Sequence, residues 1–323
     1  MAQQSGANAR LIFDTETVYK TTPTPDAMVF PFISESLSLD RAFSQSKTIR
    51  SNRNPQKPGR GNMNVAGDIA FELSPQNIGR LGKHIFGSYG VVGSAAPYTH
   101  TYKIAALPVG MCIEKQFTDL AVPKYFLYNG CKVGSFKMGT KPDGIIEAGV
   151  SIIGAKETIG AATFDATATD NGHTPFDGFE VSIKEGGSAL GTGTDFNFSL
   201  ANNLDDNSYV IDGTGQRYSC PDGAAVVEGS VTCLFLDDVL LAKAIAHTET
   251  ALELHLTKGA GTGASAGNEK LSFYFDEVVF KPKSPVVPGP TGLVVELGFT
   301  AYYNVDADAS AIRSVLLSPI ATF

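Results

Sequence analysis

"NVAGDIAFELSP", residues 64–75, decides how this chain is read. Val65, Gly67, Ile69, Phe71 and Leu73 fall on one face of an extended segment, and Asp68 and Glu72 point the other way. A period of two is the signature of a half-buried β-strand. Ser74 then supplies a helix N-cap and Pro75 the first helical position. Ile78, Leu81 and Ile85 recur at helical spacing beyond it. A strand therefore runs directly into a short helix.

The same pattern returns in "VVEGSVTCLF", residues 226–235, where Val227, Gly229, Val231, Cys233 and Phe235 share a face. The glycine stands at the same step. Asp237 can cap a following helix whose apolar stripe is Leu240, Leu241, Ala244 and Ile245. Working outward, "SLSLDRAF" pairs with "DFNFSLAN", "YFLYNGCKV" with "SFYFDEVVF", and "IEAGVSII" with "VELGFTAY". Five blocks recur in one order, which predicts a duplication into residues 1–160 and 161–323. Each half reads as strand, long loop, strand, helix and further strands, with a turn at "KPDG" (141–144) or "PGPTG" (288–292) before the last strand. The joint is placed in the small, polar stretch 156–176. The expected fold is mainly β: two tandem β-sandwich or β-barrel domains, each with a short flanking α-helix.

Composition agrees with many turns and a real core. The chain has 323 residues, 43% of them hydrophobic, with 34 glycines and only 18% charged. The first ten residues contain no apolar signal region, and no apolar run approaches the roughly 20 residues needed to span a bilayer. The expectation is a soluble protein made in a cytosol.

No pattern for chemistry stands out. Cys112, Cys131, Cys220 and Cys233 lack Cys-x-x-Cys spacing and are expected to be free thiols. The histidines, His84, His100, His173, His247 and His255, are scattered, without a His-Glu-x-x-His helix or a Gly-x-Ser-x-Gly elbow. "GAGTGASAG", residues 259–267, contains Gly-x-Gly-x-x-Ala, but a strand pattern follows it where a dinucleotide site needs a helix. The carboxylate pairs Asp205–Asp206 and Asp237–Asp238 lie in a loop and at a helix start. No catalytic residue, metal site or cofactor is expected, and the chain is not read as an enzyme.

Charge is more informative. Residues 1–160 hold 17 basic and 12 acidic side chains, and residues 161–323 hold 8 and 21. The first long loop, about 44–62, carries Lys47, Arg50, Arg53, Lys57 and Arg60. The equivalent loop, about 202–225, carries Asp205, Asp206, Asp212 and Asp222 against Arg217. Opposite fields on the two halves suit docking of one copy on another. Nucleic acid is a weaker partner for the cationic loop, which lacks aromatics for base stacking in an acidic protein.

The path "ISESLSLDRAFSQSKTIRSNR…NVAGDIAFELSPQNIGRLGKHIFG" resembles the tail tube proteins of long, non-contractile-tailed bacteriophages. "YFLYNGCKVGSF" resembles that family's next strand, and "FSLANNLDD" resembles a stretch of its second half. The likeness covers about residues 30–320. It implies packed β-sheets with a flanking helix, and head-to-tail rings stacked into a hollow tube that passes double-stranded DNA. Six domains per ring imply three chains, a homotrimer, with a homohexamer as the alternative. It also implies a virion protein assembled in the host cytoplasm, with tape measure, tail terminator and tail-tip proteins as partners. Under this reading Asp68, Glu72, Glu147, Glu228 and Glu296 face the lumen, and Lys47, Arg50, Arg53, Lys57 and Arg60 dock on an acidic surface of the adjacent ring, with Asp205, Asp206 and Asp212 of the second half as their partners. The competing reading is a host-binding β-sandwich of a tail tip or fibre, which does not polymerise.

Overall fold

A computed structural model describes residues 3–303 and 309–323. The first half carries β1 (Arg10–Glu16), β2 (Met28–Val29), β3 (Ser34–Glu35), β4 (Ser38–Ser44), β5 (Gly59–Glu72), α1 (Pro75–Phe86), β6 (Gly90–Val92), β7 (Tyr98–Lys103), β8 (Gly110–Phe117), β9 (Lys124–Thr140), β10 (Glu147–Gly154) and β11 (Lys156–Gly160). The second half carries β12 (Val181–Glu185), β13 (Ser188–Ala189), β14 (Gly193–Ala201), β15 (Val226–Leu234), α2 (Val239–Ile245), β16 (Thr250–Thr257), β17 (Lys270–Lys281), β18 (Val294–Ala301) and β19 (Arg313–Ser318). The chain is mainly β, as the alternating patterns require.

One strand order occurs twice. In the first half β4 pairs with β5, β5 with β10 and β10 with β9. The earlier residues of β9 turn into a second sheet, between β8 and β11, and β8 pairs in turn with β1. In the second half the series is β14, β15, β18 and β17. The earlier residues of β17 lie between β16 and β19, and β16 pairs with β12. Four of the recurring sequence blocks fall on corresponding strands of these series, and the fifth, the helix signal, falls on α1 and α2.

The facing sheets bury the alternating apolar residues. Leu11, Phe13, Met111 and Ile113 meet Ile69 and Val150 across the first half, with Leu81 of α1 closing the side. In the second half Phe198 meets Phe273 and Phe275 with ring centroids 5.1 Å apart, and Phe275 meets Phe299 at 5.5 Å. Each aromatic pair adds about 0.5–1.5 kcal/mol beyond its buried area.

The repeated glycine has one physical cause in both halves. A Cβ on Gly67 would sit 2.4 Å from Leu37 Cα, and one on Gly229 would sit 2.3 Å from Asn197 O. The backbone of the neighbouring segment passes too close for any side chain. The first helix signal holds: Ser74 Oγ accepts from Asn77 N–H at 3.1 Å. The second differs: the N-cap of α2 is Asp238, without a side-chain cap bond, while Asp237 Oδ1 accepts from Val239 N–H at 3.1 Å, and of the expected stripe Ala244 is buried and Ile245 exposed.

Three features differ from the sequence expectation. Residues 59–62 belong to β5, so the first long loop is shorter, 45–58. The stretch 156–176 opens with a strand, β11, whose only large apolar residue, Ile159, is exposed. The halves are also interlocked, because β7 of the first half pairs with β19 of the second.

Candidate functional site

Most of the side chains singled out by charge belong to one surface or to its margins. At the junction of the halves β9 pairs with β14, Met138 opposite Phe198 and Lys137 opposite Ser199. One sheet therefore runs from β4 through β5, β10, β9, β14, β15 and β18 to β17 without a break. One face of it covers the core. The other carries all five carboxylates expected there: Asp68, Glu147, Glu228 and Glu296 are exposed, and Glu72 is half-buried. Glu72 stands directly opposite Glu147, and its carboxylate lies 2.8 Å from His173 Nε2.

The same face carries lysines that sequence reasoning missed. Lys281 Nζ donates to Glu228 Oε1 at 2.7 Å and holds that carboxyl below the usual range. Lys283 pairs with Glu296. Exposed Lys137 stands between Gly149 and Ser199. The signal was present, since Lys137 alternates with buried Phe136 and Met138. At the centre a depression of about 550 Å³ is bordered by Ala70, Lys137, Glu147, Asn197, Ser199 and Glu228. The face is thus mixed, with acids in excess.

The sheet has two open margins. β4 pairs with β5 on one side only. At the far margin β17 leaves the ladder at Lys281, and residues 282–288 continue without a strand partner. Val286 and Val287 there are 71% and 72% exposed. Residues 282–288 follow β17 at the place where the last residues of β9, in the first half, pair with β14.

The two long loops leave the same end of the sheet. β5 runs from that end, at Gly59, to the end where α1 begins, and β15 runs in the same sense from Val226 towards α2. The β4–β5 hairpin extends six residues past the Val65–Gly154 pair, about 20 Å of extended chain. Lys47, Arg50, Arg53, Lys57 and Arg60 are all exposed.

Loop 202–225 folds over the base of this hairpin. Gly215 O accepts from Met63 N–H at 2.7 Å, and Tyr209 Oη donates to Met63 O at 2.8 Å. Buried Arg217 fastens it, donating to Asp206 O, Val65 O, Gly154 O and Asn64 Oδ1. Asp205, Asp206 and Asp212 are exposed. Asp205 accepts from Asn207 N–H and Ser208 Oγ, and Asp212 from Thr214 N–H and Oγ1. Among the described residues no ion pair joins these aspartates to the five cations within one chain.

A family model described as phage tail tube protein matches residues 6–301. The chain belongs to the phage tail tube protein family. No curated protein matches it. The role of a tail tube protein is structural, in the tail of the virion. The inner titratable groups of this chain are buried and hydrogen-bonded within it. His84 is buried with Nε2 3.0 Å from Thr15 Oγ1, and burial pushes its pKa down to about 3. His100 lies between Tyr89 Oη and Ile320 O, and His255 between Ser272 Oγ and Glu253; burial lowers both. Buried Glu16 accepts from Gly130 N–H, Asn129 Nδ2 and Lys20 N–H, and desolvation raises its pKa. All four cysteines are free and buried. Residues 259–267 connect β16 to β17, so the glycine-rich stretch opens a strand. Among the described residues there is no group of three or more His, Cys, Asp or Glu placed to hold a metal ion. No described helix is long and apolar enough to cross a membrane.

Proposed function

We propose that the chain is a duplicated tube subunit, residues 1–160 and 161–323, and that three copies close into a ring with pseudo-sixfold symmetry. Such rings stack into the tube of a long, non-contractile tail. The observation that carries this is the β9–β14 junction. It joins the halves edge to edge, and the chain offers the same two parts again at its margins. Residues 282–288 of one copy are positioned to meet β4 of the next as β9 meets β14. Pro282, Pro285 and Pro288 lack a backbone donor, so the junction between chains has fewer ladder bonds than the internal one. An edge of that kind also resists uncontrolled pairing.

The face bearing Asp68, Glu72, Glu147, Glu228 and Glu296 lines the lumen in this reading. Net negative charge keeps a polyanion from sticking as it slides, over about a Debye length of roughly 8 Å. The interspersed lysines limit the repulsion. Lys47, Arg50, Arg53, Lys57 and Arg60 then meet acidic surface on neighbouring copies. Asp205, Asp206 and Asp212, expected in the adjacent ring, become candidates beside the cations in the same ring, because both loops leave the same end of the sheet. Tape measure, terminator and tip proteins are the expected partners at the tube's ends, with assembly in the host cytoplasm.

Microscopy of the purified protein tests the reading. Annuli or tubes whose rings weigh three chains support it. Rings of six full chains sink the duplicated ring, and discrete particles that bind host cells favour a tail-tip role instead.

A further inference from the structure

The two halves differ at one corner. Where β5 leads into α1, Leu73 N–H donates to Ile146 O at 2.8 Å. A third segment covers this corner: Phe176 N–H donates to Leu73 O and Phe176 O accepts from Ile146 N–H, both at 2.9 Å. The Phe176 side chain is fully buried. In the second half Phe235 N–H donates in the same manner to Leu293 O at 3.0 Å. Among the described residues no backbone hydrogen bond bridges a third segment to Phe235 O and Leu293 N–H. The corner is bare, with Leu236 74%, Val239 53%, Leu234 47% and Val294 46% exposed. Exposed Asp237 and Asp238 lie among them.

We propose that this corner receives the β4–β5 hairpin loop of a second copy of the chain, in the adjacent ring. The proposal rests on the ring-stacking reading above and names its axial contact. The first-half corner shows the kind of occupant that fits, an extended segment with a large apolar side chain. The hairpin loop lies at the opposite end of the same sheet, so copies stacked head to tail bring it to the corner. It offers Ile49, 97% exposed, and Phe43, 68% exposed, together with Lys47, Arg50 and Arg53.

Charge selects this loop over its neighbour. Loop 202–225 leaves the same end and exposes Ile211, but it carries Asp205, Asp206 and Asp212. Those carboxylates would face Asp237 and Asp238 and be repelled, whereas the cations of the hairpin are attracted. Apolar burial supplies the adhesion and the charges set the choice. The two surfaces are different and lie at opposite ends, so the contact is heterologous and propagates as a filament.

Two measurements test it. In the variant Ile49→Cys with Leu236→Cys, oxidised tubes should run as a ladder of multimers on a non-reducing gel. Either single variant should not, because the four native cysteines are buried. In a second variant, Leu236→Asp with Val239→Asp, folded protein and rings should persist while sedimentable tubes fall at least tenfold. Tubes of the double-cysteine protein that stay monomeric on the gel, or normal tubes from the aspartate variant, overturn the proposal. If the unaltered protein forms neither rings nor tubes, the ring reading itself fails and the corner contact falls with it.

Discussion

Arg217→Ala should detach the acidic loop from the first half and destabilise the whole chain. The guanidinium is 2% exposed and meets three backbone carbonyls and one amide oxygen, with its carbon 5.6 Å from the centre of the Tyr209 ring. Hydrogen bonds to a charged donor contribute about 1.5–3 kcal/mol each. Two terms reduce the sum. Burying the guanidinium itself costs several kcal/mol, and water can reach some of the carbonyls once the side chain is gone. The net loss expected is about 3–4 kcal/mol. Arg217→Lys should recover about half of it, since an ammonium cannot reproduce the planar fork. Urea unfolding followed by circular dichroism measures this, the chain having no tryptophan. Limited proteolysis should show faster cleavage within residues 202–225. An Arg217→Ala variant within about 0.5 kcal/mol of the parent, the range of ordinary surface changes, refutes the reasoning.

Acid should weaken the fold early. His84 has a folded pKa near 3, below its ordinary 6.5, so between those values the unfolded chain binds a proton that the folded chain does not. Stability should therefore fall as pH drops below about 6.5, by up to roughly 1.4 kcal/mol per pH unit, and melting temperatures equal at pH 7.5 and 5 would contradict this. Glu72→Lys with Glu228→Lys should leave assembly intact and slow genome delivery; unchanged infectivity of such particles argues against a lumenal face. Arg50→Glu with Arg53→Glu should give folded subunits that fail to extend into tubes, and normal tubes would remove the loop from assembly. Partial rescue by Asp237→Lys with Asp238→Lys identifies the axial corner as the partner, and rescue by Asp205→Lys with Asp206→Lys identifies the neighbouring loop.

What the sequence made legible was set by alternation. Val65, Ile69 and Phe71 could only be one buried face, which placed Asp68 and Glu72 on the other before any coordinates. The repeated glycine also carried information, because Gly67 and Gly229 answer the same close approach of neighbouring backbone. Pairing was less legible. β11 is polar on both faces, and nothing in "KETIG" signals a strand; its order comes from β9 beside it. The β7–β19 pairing joins residues far apart in the chain, where no local pattern reports a partner. Lys281 and Lys283 read as loop charges beside prolines, although Lys281 still belongs to the ladder and both reach carboxylates on the acidic face. Arg217 looked like one cation in an acidic loop, and its burial depends on carbonyls of Val65 and Gly154 that composition cannot reveal.

In the proposed ring, a duplicated chain has something that identical single domains lack. The β9–β14 junction lies within one chain, so its association is concentration-independent and its two sides can specialise together. It uses that freedom fully: Phe136, Met138, Phe198 and Leu200 are all buried along it. The margins between chains must form only when partners and timing are right. They carry the opposite features, three prolines, exposed Val286 and Val287, and an open β4. The corners follow the same division. The first is sealed by Phe176 of its own chain, and the second is left bare with acids around it. The positive surplus in residues 1–160 and the negative surplus in residues 161–323 then have a common origin. On the proposed reading, halves that are free to differ can each keep one sign, so that contacts between copies form between unlike halves while like halves of separate copies repel.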